Sequence, residues 1–251
     1  MRPASIVEAA VYTAITFTAT VLLAVSTPAT GGYFNLGEAA IYAIAVLAST
    51  PLVAAVAAGL GPAIADIVLG YGYFAPATLV IKFAEGFIVA YLVGKIREGS
   101  LPQWAPLGSA ALSIAMALIL IIGLGGLGGE AGVNVYWTEA RLLGVTLPLP
   151  TLELALPPIV WWIVALGVVA VGLLPLVARG EKPLVAAMAT GGVVMITGYF
   201  LYEFFISNPI ILGRDPLGAI FEIPVNVGQV AAGILLSYPV VRFVEKARGH
   251  R

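Results

Sequence analysis

Apolar stretches long enough to cross a bilayer recur along the whole chain, and they decide what it can fold into. A spanning helix needs about 20 apolar residues, fewer where neighbours shield it. Such runs predict helices at about 5–26, 36–49, 52–69, 76–96, 105–123, 157–178, 183–206 and 217–245. The second and third are short and glycine-interrupted. Only 10 % of the 251 residues are charged, against about 25 % in soluble domains. Most of the chain must face lipid or other apolar helices. The expected fold is all-α: a polytopic transmembrane helical bundle of about eight spans in the cell membrane.

Lysine and arginine near the span ends set the orientation. With the N-terminus in the cytoplasm, Arg2, Lys95, Arg97, Arg179, Lys182, Arg242, Lys246, Arg248 and Arg251 fall inside. Arg141 and Arg214 fall outside, and Lys82 lies within a span. An even number of spans then places both termini in the cytoplasm. Arg2 and the apolar run ending at Ala24-Val25-Ser26 have the outline of a signal peptide. Glu8 interrupts that outline and the run is long enough to span, so a retained first helix is expected.

Several chemistries are excluded. There is no cysteine, and the one histidine is His250 in the basic tail. Thiol catalysis, thiolate metal sites and imidazole metal sites are therefore not expected, and no cofactor is implied. A net charge of −1 without a long basic tract does not suit nucleic acid. No GxxxxGK[ST] phosphate loop, HExxH or GxSxG occurs. Gly123–Gly128 satisfies GxGxxG, but an apolar span precedes it and a polar loop follows. A dinucleotide site needs a strand before and a helix after, so this run reads as a span terminus.

The charges that do occur are badly placed for lipid. Glu38, Asp66, Lys82, Glu85, Glu203 and Glu222 fall inside or at the rim of apolar runs, all toward the outer side. Intramembrane ionisable groups usually face a cavity and mark a substrate or ion path. In the last helix Glu222, Asn226, Gln229 and Gly233 are spaced i, i+4, i+7 and i+11, which is one face. At ~1.5 Å rise per residue Gln229 sits roughly 15 Å below the outer edge. Interhelical bonding is the simpler use of such amides. Thr78, Lys82 and Glu85 share a face of the fourth helix, where Lys82 can pair with Glu85 or with Asp66. Glu38 opens the second helix with Tyr42 one turn on, and Tyr199, Tyr202 and Glu203 share a sector of the seventh. Tyrosines here also suit an interfacial belt. Five acids against one lysine favour a cationic or donor-rich ligand over a carboxylate, unless burial protonates the acids. Ala10 and Ala14 form a small-xxx-small face on the first helix that allows close approach of another helix.

The outer connections are TPATGGYFN (27–35), GYGYFAP (70–76), a long semi-polar stretch at 124–156 without obvious internal order, and SNPIILGRDP (207–216). Their proline, glycine and asparagine are turn formers.

These pieces together resemble a known family. The run GYFNLGEAAIYAIAVLAS, then GLGPAIADIVLGYGYFAPATLVIKFAEGFIVAYLVG, is similar to the substrate-binding S components of energy-coupling factor (ECF) transporters, in particular the riboflavin-type group. The likeness rests on Phe34-Asn35-Leu36-Gly37-Glu38, on Ala65-Asp66, on Phe74-Ala75-Pro76-Ala77-Thr78, and on Lys82, Glu85 and Gly86. Pro224, Asn226 and Gln229 match the family's Pro-x-Asn-x-x-Gln. The family has Tyr where Phe74 stands and Asp where Glu38 stands. Residues 1–98 and 183–248 carry the likeness. Residues 99–182 add about two spans and an outer loop, so the division expected is 1–98, an inserted hairpin at 99–182, and 183–251.

The resemblance implies six family helices with cytoplasmic termini and no enzymatic activity. It implies capture of a vitamin or related small molecule from outside, beneath the loop joining the first two helices. Delivery would need a transmembrane coupling subunit, docked on the face bearing Ala10 and Ala14, and two ATP-binding subunits. The pocket residues expected are Asn35, Glu38, Asp66, Lys82, Glu85, Tyr199, Glu203, Asn226 and Gln229. Two other readings stay open. An ion-coupled secondary transporter would use Asp66, Glu85 or Glu222 as proton acceptors. An intramembrane enzyme would use Asp66 and Glu85, though it lacks any nucleophile–base motif.

Overall fold

The computed structural model describes residues 3–27, 31–99, 101–126, 133–142, 145–156, 158–178 and 182–247. Arg2, Pro28, Gly128, Arg179, Arg248, His250 and Arg251 lie outside them. Eight α-helices run in sequence order: α1 Pro3–Leu22, α2 Gly37–Leu47, α3 Pro51–Leu69, α4 Ala75–Arg97, α5 Trp104–Gly126, α6 Pro158–Ala178, α7 Pro183–Tyr202 and α8 Ile223–Ala247. A π-helical turn, Glu203–Ile211, continues α7, and a 3₁₀ segment, Pro216–Glu222, leads into α8. Six helices among the described residues have the length and composition to cross a membrane, with Gly37–Leu47 and Trp161–Val177 as shorter apolar helices. The apolar-run reading thus recovers every helix. Several begin on a proline, whose fixed φ and missing N–H suit a first turn. Before α3, Thr50 also caps the helix, its Oγ1 accepting from the Val53 N–H at 3.3 Å.

Large apolar side chains point outward along most spans. Ile67, Val80, Leu235 and Phe243 are each more than 60 % exposed, which is a lipid-facing surface rather than a soluble one. The inward faces are made of small residues. Ala54, Ala55, Ala57, Ala58 and Gly61 of α3 are buried, so α1 and α4 approach its backbone closely. The Thr16 hydroxyl of α1 donates to the Ala57 carbonyl at 2.7 Å. A Cβ added at Gly86 of α4 would fall on Ala58. Such close approach is the usual basis of helix association in lipid, where burial of apolar area gives little. α7 contacts α4, α5, α6 and α8, while α5 and α6 pack chiefly on each other and on α7.

The helix ends divide by charge. Lys95, Arg97, Lys182, Arg242 and Lys246 sit at one end of the bundle. Arg97 there donates to the Val46 carbonyl at 2.8 Å. At the same end Glu8 accepts from the Ser49 backbone N–H at 2.9 Å and from its hydroxyl, tying α1 to the α2–α3 link.

The opposite end carries the feature the sequence reading missed. The chain after α1 does not continue as helix to residue 26. It turns into strand β1, Leu23–Thr27, paired antiparallel with β2, Gly32–Asn35. The segment expected to lack order contains β3, Val133–Leu142, and β4, Val145–Leu156, a long antiparallel hairpin. β3 pairs with β1, giving one four-stranded sheet in the order β2-β1-β3-β4. Arg141 fastens the hairpin to the bundle by donating to the Leu69 carbonyl at 2.8 Å. The GxGxxG run behaves as a span terminus as far as Gly126, where α5 ends.

Candidate functional site

Beneath β2 lies a cavity of about 40 Å³. Its walls come from elements far apart in sequence: β2, α2, α3, α4, the α7–π junction, the 3₁₀ segment and α8. Eight of the nine pocket residues expected from sequence surround it: Asn35, Glu38, Asp66, Lys82, Tyr199, Glu203, Asn226 and Gln229. Glu85 does not line it. It stands behind Lys82, fully buried. Glu222, singled out by its charge but left out of the expected site, also lines the cavity.

Each polar side chain is placed by a specific local cause. Lys82 of α4 is only 4 % exposed. Its ammonium contacts the Glu38 carboxylate of α2 directly and reaches Glu85 one turn along α4 at 3.3 Å. Tyr42 donates to the other Glu85 oxygen at 2.9 Å. Glu38 can approach because Gly233 of α8 leaves room. A Cβ there would lie 2.6 Å from Glu38 Cβ and 3.0 Å from the Tyr42 ring. Sequence spacing suggested Glu85 or Asp66 as the Lys82 partner. The structure adds Glu38 and gives Asp66 a different one. Tyr33 of β2 donates to Asp66 at 2.6 Å, and its ring stacks on Tyr71. Burial, then the neighbouring Asp66 carboxylate, hold the Tyr33 phenol well above its ordinary range. It therefore stays a hydrogen-bond donor at any working pH.

The strand hairpin β1–β2 closes the cavity as a lid. The Asn35 backbone N–H donates to Gln229 Oε1 at 3.3 Å. Gln229 in turn donates to Asn226 at 2.9 Å. Thr27 donates to Glu222 at 3.2 Å, and Tyr73 donates to the Gly31 carbonyl at 2.6 Å. Burial pushes the Tyr73 phenol up to about 12 with Tyr71 adding to the shift, while Arg214 opposes it. Gly31 has φ +79°, a left-handed turn that a side chain disfavours. Gly32 lies so near Glu222 that a Cβ would sit 2.8 Å from Oε1. Tyr202 supports the α3–α4 turn by donating to the Tyr73 carbonyl, and Tyr199 donates to Thr78 at 3.0 Å.

Several buried oxygens have no hydrogen-bond partner: Glu38 Oε2, Asp66 Oδ2 and Glu203 Oε2. All three residues line the cavity. Buried polar atoms are normally satisfied by protein or water, so these mark where an occupant belongs. No group of three histidine, cysteine or acidic residues among those described is arranged to hold a metal ion.

Sequence reasoning missed Tyr33, Phe74 and Thr78 as lining residues. All three fall within the quoted family motifs or their outer turns, and that adjacency was the available signal. Ala10 and Ala14 lie on the exposed side of α1, beside exposed Ile6, Val7 and Val11.

The comparisons with known proteins bear on this architecture. Residues 2–182 match the family described as the ECF-type riboflavin transporter, S component. The chain belongs to this family. It is accordingly a multi-pass membrane protein of a transporter family rather than an enzyme family. The match runs through α5 and α6 and stops before α7, so Tyr199, Glu203, Asn226 and Gln229 lie beyond it. The chain is also 46 % identical over 78 residues to an "Uncharacterized protein in gap 3'region" of Pyrococcus woesei, which is 31 % of this chain and 51 % of that protein. The chain thus spans about half the length of the curated relative it matches. No solved structure matches.

Proposed function

We propose that the chain is the substrate-capture subunit of an ECF-type importer for a vitamin or related small heterocycle. The observation that carries this reading is the buried polar chamber assembled from seven separate elements under a strand lid, with unsatisfied oxygens facing inward. The residues expected to hold ligand are the nine from sequence, Glu85 acting through Lys82.

The mechanism needs no chemistry. A cavity of about 40 Å³ has room for a few waters, while small-molecule sites run to ~300 Å³ and more. The lid must therefore lift for ligand to enter. The latches that hold it down are Asn35 to Gln229 and Thr27 to Glu222. Gln229 is itself a pocket residue. A ligand that takes over the Gln229 and Glu222 contacts releases the lid, and lid closure over the ligand then buries it. Delivery is assigned to a transmembrane coupling subunit docked on the Ala10–Ala14 face and to two ATP-binding subunits. The bundle end bearing Lys95, Arg97, Arg242 and Lys246 is assigned to the cytoplasm. Residues 1–98 and 183–251 form the working body in this reading. The 99–182 hairpin is an addition, supported by the fact that no lining residue comes from it.

A second reading, ion-coupled secondary transport, is favoured by the unsatisfied carboxylate oxygens of Asp66 and Glu203. Radiotracer uptake in whole cells separates the two. The capture reading expects uptake to stop on ATP depletion and to survive a brief uncoupler pulse with ATP clamped. The reverse pattern transfers the role to proton coupling.

A further inference from the structure

The charge balance of the cavity carries the capture reading further, to the class of ligand. Lys82 is the basic residue among those lining it, and its ammonium is already committed to Glu38 and Glu85. The chamber thus offers a ligand no uncommitted cation. It does offer carboxylates. Asp66 is 3 % exposed, and Tyr33 donates to one of its oxygens while the other has no partner. Glu203 is 1 % exposed, with Oε2 unpartnered. Glu222 adds a third acid on the same wall. An ionised carboxylate buried without donors is expensive, and an occupant that supplies donors or positive charge removes that cost.

The acids do not converge on one point. No three of them are placed to hold a metal ion among the described residues, so a compact inorganic cation does not fit. The demand for donors is spread along the wall, which suits a molecule of some length. Tyr33 and Phe74 supply flat aromatic faces beside it, suited to a ring and to a delocalised cation. An anionic ligand would face Asp66, Glu203 and Glu222 with no free base to receive it.

We propose, on the basis of the capture reading above, that the ligand is a flat heterocycle bearing a protonated amine or amidinium, which Glu203 and Asp66 receive. A neutral flavin or a carboxylate vitamin is disfavoured. The test is a binding titration on the full chain in lipid nanodiscs, read by intrinsic tryptophan fluorescence. Four probes are used: thiamine and an aminomethyl purine as cations, riboflavin as a neutral ring, and biotin as an anion. The expected result is that a cationic probe binds at least about tenfold tighter than riboflavin or biotin. Glu203→Gln, checked for folding by its melting curve, should weaken that binding about tenfold while leaving riboflavin within about twofold. Riboflavin or biotin binding tighter than both cations overturns the ligand class, as does a folded Glu203→Gln protein with undiminished cation affinity. Failure of both cations to bind up to about 1 mM overturns it too. The wild-type ranking stands even if the variant does not fold. The capture reading is judged separately, by whether purified protein releases any bound small molecule.

Discussion

Replacing Lys82 with methionine isolates the energetics of the pocket floor. The ammonium it removes serves two carboxylates, on Glu38 and Glu85, which are 1 % and 0 % exposed. Glu85 keeps its bond from Tyr42. Glu38 is left with neither oxygen satisfied, since its Oε2 already lacks a partner. Removing one member of a buried pair costs about 3–5 kcal/mol, because the remaining charge is stranded. Glu38 can escape by taking up a proton, which at pH 7 costs a carboxyl of ordinary pKa about 3.7 kcal/mol. The two routes agree, so Lys82→Met should destabilise the protein by about 4 kcal/mol. At about 2–4 °C per kcal/mol for chains of this size, the melting temperature should fall by roughly 8–16 °C. Adding Glu38→Gln and Glu85→Gln removes the stranded charges and should restore most of the loss. The assay is thermal unfolding of single and triple variants in one detergent. A loss under about 1 kcal/mol for Lys82→Met, or no recovery in the triple variant, would refute the account of the triad.

Other expectations follow from the same contacts. Gly233→Val places a side chain against Glu38 and Tyr42 and should cost about 1–3 kcal/mol by overpacking, read by thermal unfolding. Tyr33→Phe deletes the donor to Asp66 and should cost about 1–3 kcal/mol, with Asp66→Asn in the same background recovering part of it. Arg141→Ala releases the β3–β4 hairpin from Leu69, so amide exchange of residues 140–142 should rise about tenfold while α3 and α7 stay protected. Ala10→Trp and Ala14→Trp lie on an exposed face, so ligand binding should persist while co-purification with the coupling subunit is lost. Retained co-purification would move the docking surface elsewhere.

The helices were legible because lipid imposes a simple rule: each span must be apolar and satisfy its own backbone. Boundaries followed from proline and glycine, as at Pro51 and Gly70. The convergence of Glu38, Asp66, Lys82 and Glu203 was legible for the same reason, since charge in such runs needs a shared interior. The sheet was not legible. Leu23–Thr27 continues the apolar run of the first helix, and only its partners, β2 and β3, make it a strand. Strand preference depends on neighbours more than on the residues themselves. β3 and β4 satisfy their backbones across a hairpin inside a stretch whose composition reads as loop. The Glu38–Lys82 contact was missed because it joins α2 to α4 across 44 residues, where helical spacing says nothing. That Gln229 closes the lid instead of standing free was likewise invisible until β2 was placed over it.

The central claim is that these inward-facing groups hold a small molecule. Native mass spectrometry of protein extracted gently from its own membrane tests it most directly. The account predicts a single added mass in the range of a small heterocycle, released on denaturation and depleted when Asn226→Ala or Glu85→Ala protein is extracted the same way. Bare protein from cells grown in rich medium, or an adduct equally retained by both variants, would contradict it.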